Sequence, residues 1–168
     1  SKNTMSTISV PYVALAAQWQ DEKDYLLPII ESIMSSGQFV CGEAVECFEQ
    51  KVSELCETTY CVSLNSGTDA LILGLSALGV CSGDEVITVS RTATGTVLSI
   101  VNTGAKPVFI DINSDTYNMD TNLIEKKIAK KTKAIIVVHL YGQSCSMEQV
   151  LFIAKKKGIP IIEDCSQS

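Results

Sequence analysis

The 168-residue sequence contains one histidine, one arginine and no C-x-x-C pair. Seven cysteines are scattered at positions 41, 47, 56, 61, 81, 145 and 165. With a single imidazole and no paired thiols, a structural zinc site is disfavoured, and no metal is expected. The odd cysteine count, without a signal peptide, predicts reduced thiols in a cytoplasmic protein, most of them serving as small core hydrophobes. No apolar run approaches the ~20 residues needed to cross a bilayer. Uninterrupted runs of basic residues are also scarce. Lys155, Lys156 and Lys157 form the one tight basic run, and the net charge is −6. An acidic surface argues against nucleic acid as a main partner, and the lysine run reads as the solvated face of a helix. Neither G-x-x-x-x-G-K-[ST] nor G-x-G-x-x-G occurs, which removes the common nucleotide and dinucleotide loops. Internal repeats and low-complexity linkers are absent too.

What is present is a regular alternation. From residue 60 onward the pattern predicts strands at Tyr60 to Leu64, Glu85 to Val89, Lys106 to Ile110, Ala134 to Val138 and Ile159 to Ile162. Helices are predicted between them: Thr68 to Leu78, residues 93 to 102, a segment capped by Asp120 or Thr121 and running to Lys130, and Ser146 to Lys157. Strand and helix alternating at this spacing mean βαβ units on a parallel sheet, hence an α/β fold. Two more helices precede it, roughly Asp21 to Ser35, with Pro28 as a possible kink, and Glu43 to Cys56. The division expected is an N-terminal helical segment over 1–58 and an α/β domain over 59–168. Met119, Met147 and Phe152 are expected in the core.

The stretch Asn65-Ser66-Gly67-Thr68-Asp69 stands where a strand hands over to a helix. A helix start offers unpaired N–H groups and the positive end of the macrodipole. Gly67 allows close approach to the backbone, and Ser66 and Thr68 add hydroxyls, a set that suits a phosphate monoester. Ordinary capping explains the same residues, and both readings stay open on this motif alone. Asp164 arrives at the end of the last predicted strand, where open α/β sheets place ligands. A lone carboxylate there caps a loop or pairs with a cationic heterocycle such as a pyridinium ring. Gln167, three residues on, is placed to donate to an oxygen on that ring. The sequence stops at Ser168, directly after this motif, and is expected to be part of a longer protein.

Several stretches together resemble the DegT/DnrJ/EryC1/StrS family of pyridoxal-phosphate-dependent sugar aminotransferases. They are NSGTDAL, the run from ALGVCSGDEVITVSRTATGTVLSIV to INSDTYNMD, and KTKAIIVVHLYGQSCSMEQ with GIPIIEDCSQS. PYVALAAQWQ and SGQFVCGEAVECFEQKVSE extend the likeness toward the N-terminus. The resemblance implies a three-layer α/β/α, mostly parallel sheet of the aspartate-aminotransferase type (fold type I), truncated to the first part of its large domain. It implies transamination of a nucleotide-linked keto sugar with glutamate as donor, by a homodimer. Ser66, Gly67 and Thr68 would hold the cofactor phosphate, Asp164 the pyridinium nitrogen, and Gln167 the ring oxygen.

The resemblance also implies that the loop with Gly37, Phe39 and Gly42 approaches the active site of a partner subunit, which makes Phe39 a substrate candidate. His139 is a second substrate candidate, with hydrogen-bonded packing favoured over a general acid or base. Two departures stand out. Ala93 occupies the place of an aromatic ring that would stack on the cofactor. The lysine expected to form the Schiff base lies beyond Ser168, and no lysine present matches its motif. The catalytic residue is therefore unassigned, and the fragment alone is expected to be inactive. Alternatives are a pyridoxal-phosphate sugar dehydratase of the same family and a non-catalytic truncated or degenerate relative acting as a regulator or dimer partner. Arg91 either anchors an anion or sits in solvent, the latter slightly preferred.

Overall fold

A computed structural model describes residues 10–168. The chain divides into two compact units, one ending at Ser63 and one running from Leu64 to Ser168. The first unit is two helices. Helix α1 spans Leu15–Ser36, and Pro28 lies inside it; Gly37 ends it in the left-handed conformation (φ 72°) that a residue without Cβ takes at little cost. Helix α2 spans Glu43–Leu55, with Glu43 and Glu46 in its first turn, where negative charge complements the helix dipole. No residue of either helix is buried, so Trp19, Phe48 and Leu55 keep their apolar surfaces open.

The second unit is a four-stranded sheet with helices on both sides. Its strands are β1 (Glu85–Val89), β2 (Lys106–Ile110), β3 (Thr132–Val138) and β4 (Ile161–Asp164), ordered β2-β1-β3-β4 and all parallel. Its helices are α3 (Gly67–Ala77), α4 (Thr94–Asn102), the single turn α5 (Ile124–Lys127) and α6 (Met147–Lys157). Helix α3 packs on α4 and α5 packs on α6. Right-handed crossovers require this segregation. The chain steps from β1 to β2 in one direction and from β2 through β3 to β4 in the other, which puts α4 on one face and α5 and α6 on the opposite one.

Because both faces are covered, the central strands are buried and mostly apolar, with Thr88 a buried polar residue in β1. Val86, Ile87, Ile135, Ile136 and Val137 are all fully buried. Leu71 and Leu75 seal one face from α3, and Val150, Ile153 and Ala154 seal the other from α6.

The expected strands β1 and β2 are found at their predicted limits, and the expected α/β/α layering is present. Four expectations are corrected. Residues 60–64 form no strand, because no described strand lies alongside to complete a ladder. The helix expected to reach Lys130 stops at Lys127, where Ile128 turns extended (φ −67°, ψ 124°) and packs against the core. The last strand begins at Ile161 rather than Ile159. Phe152 is 68% exposed, since it falls off the Val150–Ile153–Ala154 stripe of α6.

The cysteines are corrected as well. Only Cys145 is buried, Cys61 is half-buried, and the other five are exposed. Cys81 nevertheless has a dulled thiol: the Asp84 carboxylate accepts its S–H at 3.5 Å, and this bond with the nearby negative charge raises the thiol above its usual range. Less thiolate at a given pH means slower alkylation. Removing the carboxylate with Asp84→Asn is expected to speed modification of Cys81 by iodoacetamide at pH 8, read by peptide mass spectrometry.

Candidate functional site

The sequence places the Ser66–Thr68 turn and Asp164 far apart, and the parallel sheet brings them to one rim. Ser66 is the N-cap of α3, its Oγ accepting the Asp69 N–H at 3.1 Å. That leaves the N–H groups of Gly67 and Thr68 without an acceptor among the described residues. A helix start with such open N–H groups is chemically suited to an anion. A Cβ added to Gly67 would lie 3.5 Å from Ser166 Oγ, so this turn touches the loop that follows β4.

Asp164 closes β4 and is 9% exposed. Its Oδ1 accepts both the N–H of Ser166 (3.1 Å) and the Ser166 hydroxyl (2.5 Å). Its Oδ2 accepts one long bond, from Thr96 Oγ1 at 3.3 Å. Thr96 is fully buried in the first turn of α4, and its hydroxyl also meets Thr92 Oγ1 at 2.8 Å. The carboxylate is thereby fixed in orientation, with acceptor capacity left on Oδ2. Sequence reasoning missed Thr96. Its only signal was a hydroxyl placed in a helix start beside the sheet rim.

A second missed residue is Gly95. A Cβ there would fall 2.5 Å from Thr68 Oγ1, so glycine lets the starts of α3 and α4 meet. Two helix dipoles then point positive ends at the same rim.

Gln167 accepts the Tyr141 N–H at 2.8 Å through Oε1, while its amide nitrogen has no partner among the described residues. Ala93 is the N-cap of α4 and lies exposed. Phe39 belongs to the first unit, where it lines a groove of about 610 Å³ with Pro28, Ile29, Ile33 and Val45.

His139 is 4% exposed and engaged on both nitrogens. The Cys145 N–H donates to Nδ1 (3.1 Å), which makes Nδ1 an acceptor and puts the ring proton on Nε2, facing Glu163 Oε2 at 3.0 Å. Both ring nitrogens thus have partners within the protein. Burial pushes the adjacent Cys145 thiol up, which leaves less of it as the nucleophilic thiolate.

Asn118 is a further residue that the sequence hid. It is 3% exposed; its Oδ1 accepts the Leu140 N–H (3.1 Å) and its Nδ2 donates to the Gln143 carbonyl (2.8 Å). It clips the loop after β2 to the loop after β3. No group of three or more metal-ligating side chains occurs among the described residues, and no described helix is long and apolar enough to cross a membrane.

A dTDP-3-amino-3,4,6-trideoxy-alpha-D-glucose transaminase of Micromonospora megalomicea subsp. nigra is 39% identical over 90% of this chain and 40% of its own length. The crystal structure of S. venezuelae DesV in complex with a ketimine intermediate superposes with a TM-score of 0.93 at 36% identity, over 96% of this chain and 44% of that one. The structure of NtdA from Bacillus subtilis with bound cofactor PMP gives 0.90 at 32% identity, over 97% and 38%. The chain thus spans less than half the length of these relatives. Residues 20–168, which include the whole sheet, match the family description itself, and the chain belongs to the DegT/DnrJ/EryC1/StrS aminotransferase family.

Proposed function

We propose that the protein of which this chain forms part is a pyridoxal-phosphate-dependent aminotransferase acting on a nucleotide-linked keto sugar, with glutamate as amino donor. The observation that carries this reading is the shared rim. Free N–H donors at the start of α3 and the buried Asp164 carboxylate are joined through Ser166. One end suits a phosphate and the other a protonated ring nitrogen, and the donor set present fits that cofactor. Residues 59–168 would be the first part of its binding domain. Similarity to named sugar transaminases supports the substrate class.

In this reading Gly67 and Thr68 hold the phosphate through their N–H groups, with hydroxyl help from Ser66 and Thr68. Asp164 accepts the ring N–H on Oδ2 while Ser166 and Thr96 keep the carboxylate from turning away. Gln167 directs its free amide nitrogen at the ring oxygen. When bound, the cofactor supplies an electron sink for removal of a proton from the amino donor. Phe39 would reach a partner subunit's site in a cytoplasmic homodimer.

Ala93 favours a second reading. No aromatic ring stands at the start of α4, so a relative that binds no cofactor and acts as a regulator or dimer partner would look the same there. Titrating the full-length protein with pyridoxal phosphate separates the two. Saturable visible absorbance and amino transfer from glutamate are expected; absence of any bound-cofactor band would overturn the enzyme reading.

A further inference from the structure

The one arginine of the chain is not paired with any of its 19 acidic residues in the described structure. Arg91 stands just past the end of β1, and its guanidinium carbon lies 4.9 Å above the centre of the Tyr117 ring and 6.0 Å from that of Tyr141. One of its terminal nitrogens, Nη2, donates to the Tyr141 hydroxyl at 3.2 Å. Tyr117 comes from the loop after β2 and Tyr141 from the loop after β3, so three neighbouring strands send one side chain each to this point.

The place is the switch point of the sheet. From β1 the chain leaves toward one edge and from β3 toward the other, and the crevice opened between such strands is where α/β sheets take ligands. The Tyr117 ring beneath it and the bond to the Tyr141 hydroxyl hold the guanidinium in place while leaving most of its donors for a ligand. The backbone is strained to achieve this. Tyr117 (φ 60°) and Tyr141 (φ 59°) are both left-handed, a conformation that a bulky residue adopts only under constraint. The Asn118 clip between their loops holds them there. Tyr141 in turn donates its N–H to Gln167, which ties the cluster to the proposed cofactor site.

We infer that Arg91, oriented by Tyr117 and Tyr141, binds an oxyanion of a substrate, through two parallel N–H···O bonds to one carboxylate or phosphate group. This rests on the aminotransferase reading for its two sources, the donor's carboxylate and the nucleotide sugar's diphosphate.

The test is calorimetric titration of the full-length protein, wild type and Arg91→Ala, with glutarate, with dTDP and with pyridoxal phosphate. Arg91→Ala is expected to weaken either glutarate or dTDP about 10- to 100-fold, the range for losing hydrogen bonds from a charged group. Whichever ligand weakens names the source. Arg91→Lys, which lacks the planar fork, is expected to recover only part of the loss, and Tyr141→Phe to weaken the same ligand several-fold. Unchanged affinity for both ligands, or a loss confined to pyridoxal phosphate, overturns the assignment. If the wild type shows no visible cofactor band, the aminotransferase reading fails by itself, and the glutarate and dTDP titrations still read Arg91.

Discussion

Asp164→Asn in the full-length protein is expected to lower turnover on the order of 10²–10³-fold, as for loss of one well-placed electrostatic group in an active site. Asparagine keeps the shape of the side chain. Its carbonyl oxygen can still accept from Ser166, and Thr96 can turn its hydroxyl to accept from the new amide. The fold should therefore survive, and the loss isolates the charge. On the proposed reading, what disappears is the acceptor that would hold a proton on the cofactor ring nitrogen. Turnover with glutamate, together with the visible spectrum of the bound cofactor, checks this. Thr96→Val serves as the graded companion: it removes one neutral donor 3.3 Å from the carboxylate and is expected to cost about 2- to 10-fold. An Asp164→Asn enzyme as active as wild type would break the link between this carboxylate and catalysis.

Ile135→Ala is expected to destabilise the protein by about 2–5 kcal/mol, read as a lower urea midpoint. Ile135 lies on β3, which is flanked by β1 and β4, and pairs in register with Ile87 and Ile161. It is fully buried, and rigid neighbours on both strands cannot collapse into the space a truncation leaves. Phe152→Ala removes more atoms but should shift stability by no more than about 0.5 kcal/mol, because that ring faces solvent. The contrast between the two substitutions tests the buried stripe of α6 as well as the sheet.

Much of this fold could be read from local pattern. The Gly83-Asp84 turn marks the start of β1, the apolar run from Ala134 to Val138 marks β3, and Gly158 marks the end of α6 with a left-handed cap. Residues 60–64 misled because apolar and β-branched composition reports strand preference, whereas a strand exists only where another backbone receives its hydrogen bonds. Phe152 misled because composition was read in place of position on the helix.

At the site, the Ser66–Thr68 turn and Asp164 were legible since each is a short motif with its own chemistry. Thr96, Gly95 and Asn118 were not, since each acts across a gap of more than twenty residues or between two helix starts. Arg91 was visible only as an isolated cation. The two tyrosines that orient it come from loops whose meeting depends on strand order.

That strand order also bears on how the chain comes off the ribosome. β1 docks against β2 early, but its other edge waits for β3, so Ile87 cannot meet Ile135 until the intervening chain has been synthesised. During that interval a buried strand of the sheet has one flank unpaired, and parallel pairing over such a distance is slow to form. Nascent chains paused before Val138 should therefore be the species that chaperones hold and that self-associate when chaperones are scarce.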